Sequence, residues 1–407
     1  MVAVAAACSG TEETGGTDPP PSAVTATTEA PRTDDGVLRI GVMAPRTGDG
    51  AAIGQSVVEA SNEAVNRINA AGGVGGVPIQ LIPEDEGTTP IAARDGIESL
   101  LDADVDAVIG PTSSVIALDA LGDLLAGGVV ACSPTATALA LDDYPGSERF
   151  FRTIPSDTLQ AMAIAEVAEQ TGARTAAVAF LDDTYGRPLA EATIAALEGR
   201  QLTVATRVPF NAGDEDLQAH AIELAEADVG VVVIIGDADE GTRLLSALGE
   251  VAAAQPEEAV TDVILNGAMR TPSSPALVQG LPTAMRELVR GVSPVASPTT
   301  PEEPPGLFAT NAVDCVNLIA LASAQAGSDN PAEMAEQIEE VSSTGVACAD
   351  FASCVGLLDD NRNIDYEGLR GGVEIGTGGD PRQARFEVFS FDANGVDQPL
   401  RTFSISS

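Results

Sequence analysis

The stretch Gly110–Leu118 reads GPTSSVIAL. An apolar run, Val105 to Ile109, stops at Gly110, and apolar residues then recur at helical spacing. Strand, glycine, hydroxyls and helix in that order describe a turn at the carboxyl edge of an open α/β sheet, where such folds hold their ligands. Thr112, Ser113 and Ser114 fall where a helix needs a cap. They also fall where its free N–H groups and partial positive charge favour an anion. The residues alone leave both roles open.

The same rhythm extends in both directions. VLRIGVM (37–43), VPIQLI (77–82), VDAVIG (105–110) and GVVACS (128–133) read as strands, with amphipathic helical patterns between them. RFFRTIPSD (149–157) reads as a connecting stretch, after which the rhythm restarts. TAAVAFL (175–181), QLTVATRVPF (201–210), VGVVVIIG (229–236) and DVILNG (262–267) are the second set of strands. Buried strands separated by helices imply parallel, doubly wound sheets. Two successive sets predict two lobes of similar build. The Pro-rich SPVASPTTPEEPPG (293–306) interrupts the pattern before a further helix, LFATNAVDCVNLIALASAQAG (307–327), and ARFEVFSFDANGV (384–396) reads as a late strand and turn. AAGGVGGVP (70–78) closes a helix and leads into a strand. A dinucleotide loop runs from strand to helix, so this segment is not one.

Composition narrows the function. The 407 residues suffice for two cores. Acidic residues number 61 against 20 basic ones, for a net charge of −41. Such a surface repels nucleic acid and anionic lipid, and it suits salty surroundings, where self-repulsion is screened. Every basic residue is Arg. Without Lys there is no P-loop lysine, no pyridoxal Schiff base and no Ser-Lys nucleophile pair. Aromatic residues are 3% and Trp is missing, which argues against stacking platforms for sugars or bases. The single histidine, His220, sits in an amphipathic helical pattern with no motif around it. No nucleophile, base and orienting group converge in a motif, so no enzyme and no cofactor are expected.

The front end is distinct. VAVAAAC (2–8) is an apolar run of small residues ending at a cysteine, and it resembles the tail of a bacterial lipoprotein signal. That resemblance implies that Cys8 is a lipid anchor. The Thr-, Pro-, Gly- and Glu-rich segment that follows cannot bury a core and should be a mobile tether. Cys348 and Cys354 flank a short loop and can pair in an exported protein. Cys132 ends an apolar strand, and Cys315 lies in an apolar helix. Each reads as a small buried hydrophobe.

Seven stretches together carry a family resemblance: LRIGVMAPRTGDGAAIG (38–54), NRINAAGGVGGVPIQLIPEDEGTTP (66–90), VIGPTSS (108–114), ACSPTATALAL (131–141), FFRTIPSD (150–157), FLDDTYG (180–186) and NIDYEGLRGGVEIGTGGDP (363–381). The chain resembles the substrate-binding proteins of ABC transporters for branched-chain amino acids, the Leu/Ile/Val-binding type. The resemblance implies a periplasmic binding protein type I fold, a two-lobed flytrap closing about hinge strands. It implies a disordered front end over 1–35, a first lobe from 36–153 and 294–383, and a second from 154–293 and 384–407. It also implies a small-molecule ligand, a permease partner, a monomer and an extracytoplasmic location at the membrane's outer face or in the periplasm.

By the same resemblance, Ser114 contacts a ligand carboxylate, with Ser113 as the helix cap. Thr135, Ala136 and Thr137 in SPTATAL present backbone groups and a hydroxyl to the ligand. Tyr185 folds over it from the second lobe. The family often has an acid after the glycine that follows the VILN strand, to meet an ammonium group; here Met269 stands nearby instead. Asp237 or Asp239 is the candidate replacement, or both are solvated helix-start acids. Asp49 is the polar candidate in the first loop. Without an acid at the amine site, an amide, a urea-like compound or a small organic acid becomes the alternative ligand.

Overall fold

The computed structural model describes residues 32, 34–48, 50–254, 262–270, 278–392, 394 and 396–406. Cys8 and Asp49 lie outside the described residues.

Five strands form the first sheet: β1 (Arg39–Ala44), β2 (Gln80–Asp85), β3 (Ala107–Ile109), β4 (Val130–Ser133) and β5 (Phe150–Arg152), in the order β2-β1-β3-β4-β5. All neighbours are parallel. Between the strands run α1 (Ala51–Ala70), α2 (Pro90–Asp102) and α3 (Ser114–Ala126). The stretch expected to be only a connection contains β5, which closes one edge of the sheet. Its three residues are too few to show a period, and their partner, Ala131–Ser133, is remote in sequence.

The second sheet has seven strands: β6 (Thr175–Leu181), β7 (Thr203–Phe210), β8 (Val231–Ile235), β9 (Val263–Leu265), β10 (Val289–Pro294), β13 (Gln383–Phe391) and β14 (Asp397–Ser406). β11 (Val346–Cys348) and β12 (Ile364–Tyr366) form a separate parallel pair. From β7 to β10 the second sheet is parallel. β13 and β14 then pair antiparallel, so this sheet is mixed. The reason is topological: β13 enters from the first lobe, and β14 returns beside it.

Each sheet is packed on both faces by its own apolar clusters. The chain leaves the first sheet after Arg152 and enters the second lobe through α4 (Asp157–Gln170), which packs on β10 and on α5 (Gly186–Gly199). It leaves the second sheet after Pro294 and continues into a helix at Ala309–Ala326 that packs on α1. That helix is buried from Ala309 to Ser323 on every face, as expected of one wrapped by a core. The chain re-enters the second sheet at Gln383.

Two disulfides are present. Cys348–Cys354 closes a short loop, with the Cα atoms 5.4 Å apart. Cys132 and Cys315 are fully buried, but they are bonded to each other rather than merely packed. They stand 183 residues apart, a pairing that no local pattern encodes. The bond joins β4 to the helix at Ala309–Ala326, the two separate chain sections of the first lobe.

Among the described residues, no helix is long and apolar enough to cross a membrane, and no group of three or more His, Cys, Asp or Glu could hold a metal. His220 is half-buried, with Nε2 3.7 Å from Asp214.

Candidate functional site

Parallel strands place all their carboxyl ends on one edge. On the first sheet, that edge carries the turns after β2, β3, β4 and β5. Gly110 opens the turn after β3 with φ +118°, and a Cβ there would meet the Met43 carbonyl oxygen at 2.4 Å. Only glycine fits that approach.

The helix start beyond it is divided between two tasks. Ser113 is the cap of α3, its hydroxyl accepting from Ile116 N–H at 3.5 Å. Glu86, fully buried at the end of β2, accepts from Thr112 N–H at 2.9 Å, from Ser113 N–H at 2.8 Å and from the Thr112 hydroxyl. The chain therefore supplies one carboxylate to this helix start itself. Burial raises the Glu86 pKa, and these donors work against that rise. The first-turn donors not taken by Glu86 or Ser113 are the N–H groups of Ser114 and Val115.

Ser114 faces the next turn. Its Oγ accepts from Thr137 N–H at 3.1 Å and Ala138 N–H at 3.3 Å. Its own O–H proton is left to donate. Thr137 donates from Oγ1 to Asp157 at 3.1 Å, and its carbonyl accepts from Asp157 N–H at 2.8 Å. The Thr135 hydroxyl donates to the Thr112 carbonyl at 2.6 Å, tying the two turns together. Ala136 is buried, its N–H bonded to Ser133 Oγ at 3.0 Å.

Asp157 is the residue that sequence reasoning missed. It opens α4, at the crossing between lobes, and is fully buried. Its carboxylate accepts from Thr137 Oγ1 and from Gln160 Nε2. Burial pushes its pKa to about 7, against the pull of Thr137, Gln160 and the nearby Arg152 charge. The signal was the SD pair at 156–157, which reads first as a helix cap. Ser156 takes that role, accepting from Thr158 N–H at 3.1 Å, which leaves Asp157 to point inward.

The second lobe contributes Tyr185, half-buried against clusters of both lobes. Its hydroxyl accepts from Asn266 Nδ2 at 3.3 Å. Burial first, then the Asp157 charge, push the phenol above its usual pKa. Gln160 reaches the same region, accepting from Gly267 N–H at 2.7 Å.

The remaining candidates are placed elsewhere. Asp237 is exposed and accepts from the N–H groups of Asp239 and Glu240 at 3.0 and 2.7 Å, the bonding of a helix-start acid. Asp239 is also exposed. Met269 is 1% exposed within the second lobe's core. Its sulfur lies 2.8 Å from where a Cβ on Gly241 would be, so it fills the space that this glycine leaves. The assembled cluster is therefore Ser114, Thr135, Ala136, Thr137 and Asp157, joined by Tyr185.

Known proteins share this architecture. Residues 37–265 match the periplasmic binding protein family. The chain is 26% identical over 358 residues to the chemotactic signal transduction system substrate-binding protein BasB of Halobacterium salinarum, covering 83% of each. It is 27% identical over 313 residues to the leucine-, isoleucine-, valine-, threonine-, and alanine-binding protein of Pseudomonas aeruginosa, covering 74% of this chain and 82% of that one. Among solved structures, the branched-chain amino acid transporter substrate binding protein LivJ from Streptococcus pneumoniae, in complex with isoleucine, superposes with a TM-score of 0.67 at 21% identity, over 91% of this chain and 100% of that chain. A solute binding protein from R. palustris in complex with benzoate gives a TM-score of 0.66 at 16% identity, over 91% of this chain and 98% of that one. With more than half of its length matched and two lobes, one on a parallel and one on a largely parallel sheet, the chain belongs to the periplasmic binding protein family and has the type I fold.

Proposed function

We propose that this protein is an extracytoplasmic solute-binding receptor that captures a small amino acid between its lobes and delivers it to an ABC permease. The observation that carries this reading is the cluster at the first lobe's carboxyl edge. There, a helix start with a free serine O–H stands beside a threonine, a buried carboxylate and a tyrosine from the opposite lobe. The Ser114 hydroxyl and the N–H groups of Ser114 and Val115 suit a ligand carboxylate. Asp157 suits an ammonium group, in place of the acid missing near Met269. Ser113, Thr135 and Ala136 hold the turns. In this reading the lobes are 36–153 with 294–383 and 154–293 with 384–407, and Cys8 tethers a monomer to the membrane. Two disulfides support an oxidising compartment.

A second reading has its own support. The relative that covers 83% of this chain is a chemotactic signal transduction protein, so the same capture event can report to a sensor partner instead of a permease. The benzoate-bound neighbour supports an ammonium-free acid as the ligand.

A thermal-shift panel tests the reading. It holds Leu, Ile, Val, Ala and Thr beside benzoate, short carboxylic acids and amides. Ligand at a hundredfold its Kd adds about 2.7 kcal/mol, a readable rise in Tm. A shift with amino acids supports the proposal. A shift only with ammonium-free acids or amides overturns Asp157 as the amine partner.

A further inference from the structure

Arg152 ends β5 and is fully buried. A buried guanidinium carries five donors, and four bonds from three parts of the chain hold this one. Nη1 donates to the carbonyls of Ala136 and Ala138 at 3.4 and 3.1 Å, the two that flank Thr137. Nη2 donates to Asp142 at 2.6 Å. Nε donates to Asp380 at 2.5 Å. Burial disfavours the charge, but Asp380 and Asp142 outweigh it, and Arg152 stays ionised.

Two of these partners connect to passages between the lobes, Asp142 through its bonds and Asp380 by its place in the chain. Asp142 also accepts from the Ser156 hydroxyl at 2.8 Å and the Thr158 hydroxyl at 3.0 Å, at the start of α4. Asp380 stands just before Gln383, where β13 enters the second sheet. Its turn is seated on β5, because the Gly379 carbonyl accepts from Arg152 N–H at 2.8 Å. One cation thus holds the turn that carries Thr137 and is linked through Asp142 to the start of α4 and through Asp380 to the entry of β13.

We propose that Arg152 is a positioning residue that couples the Ala136–Ala138 turn to lobe movement through Asp142 and Asp380. Rotation of α4 against the first lobe displaces the hydroxyls of Ser156 and Thr158. Asp142 must follow them or lose them, and Arg152 passes the displacement to the carbonyls on either side of Thr137. The inference takes from the receptor reading only that the lobes pivot at their crossings, and it needs no ligand identity.

The test uses the full chain carrying Cys8→Ser, with spin labels at Glu98→Cys and Glu191→Cys, exposed sites on α2 and α5. Two quantities are read without ligand: the inter-lobe distance distribution, and amide exchange at Thr137 and Ala138. Arg152→Lys keeps the charge but cannot span the four acceptors. We expect it to broaden the distribution and to speed exchange at least tenfold. Ser156→Ala leaves every Arg152 bond in place and cuts one Asp142 link to α4; it should move both readouts by a smaller amount. Asp142→Asn is the third variant, should Arg152→Lys fail to fold. In any folded variant, a change in one readout without the other overturns the coupling, as does wild-type behaviour of Arg152→Lys in both. If the coupling holds while the ligand panel fails, only the ligand assignment falls.

Discussion

The two lobes share a sheet plan but not a way of being held. The first lobe ties its carboxyl edge with buried polar groups, Glu86 under the turn after β3 and Arg152 under the turn after β4, and Asp157 bonds to this edge from the start of α4. Both disulfides lie in it. The second lobe has an apolar core, phenylalanines included, on both faces of its sheet. Its edge acids at Asp237 and Asp239 face solvent. Buried polar groups tolerate few arrangements, because each unmatched one costs free energy. In the proposed reading the first lobe is a preformed half-site, to which the second brings Asp157, Tyr185 and Asn266.

The largest way to break this contrast is to remove the Cys132–Cys315 bond. It closes a loop spanning 183 residues, and loop-closure entropy puts its effect at about 5 kcal/mol. Cys132→Ala with Cys315→Ala should lower the denaturant midpoint steeply, with the loss of exchange protection concentrated in the first lobe. Equal loss in both lobes would erase the distinction.

Glu86→Ala comes next. It leaves the Thr112 N–H, the Thr112 hydroxyl and the Ser113 N–H without their acceptor, and should cost roughly 2–3 kcal/mol. Asp237→Asn, its exposed counterpart in the second lobe, should stay within about 0.5 kcal/mol. Urea titration measures both.

Binding sharpens the comparison further. If the ligand carries an ammonium group, Asp157→Asn should weaken it by about 1.5–3 kcal/mol, tenfold or more, while leaving an ammonium-free acid less affected. The pH dependence follows from the raised pKa. The folded protein holds the Asp157 proton up to about pH 7, whereas the unfolded chain releases it near the ordinary aspartate value of about 3.9. Between those values the folded state binds more protons. The stability that this group contributes is therefore present at low pH and is lost as pH rises toward 7. Affinity for an ammonium ligand should move the other way, rising with pH and levelling above about 7. Calorimetric titration from pH 5 to 8 reads the affinity, and thermal melts read the stability. A flat affinity profile would remove Asp157 from the site. Ser114→Ala and Thr137→Ala should each weaken a carboxylate ligand by about 1 kcal/mol without unfolding the protein.

Salt should have the smallest and most diffuse effect. At a net charge of −41, self-repulsion opposes compaction. Raising ionic strength from about 0.1 to 1 M shortens the screening length from about 10 to 3 Å. Tm should rise in both lobes, and equal Tm at both salt levels would count against adaptation to salty surroundings.

Local patterns reached far. β6 runs over Thr175–Leu181, the whole of the stretch read as a strand, because seven apolar and small residues between helical patterns admit little else. The resemblance implied Ser113 as the helix cap, and its hydroxyl accepts from Ile116 N–H. β5 and β10 were harder: β5 has three residues, β10 mixes Arg290, Gly291 and Ser293 with its valines and ends in the Pro-rich segment, and both take their pairing from other stretches of the chain. Asp237 and Asp157 show the same limit within the site. Both are acids at helix starts, and local sequence gives no measure of which one is buried.

The sequence by itself determined the two αβ series, the absence of lysine chemistry, the acidic surface and the hydroxyl-bearing turn at 110–118. These depend on composition and on near neighbours. Only the tertiary structure decided that Cys132 meets Cys315, that Glu86 shares the start of α3, that Met269 fills the space at Gly241, and that Asp157 faces Thr137 and Tyr185. Each of these joins residues from separate stretches of the chain, and burial, which sets both their partners and their charge, exists only once the lobes are folded.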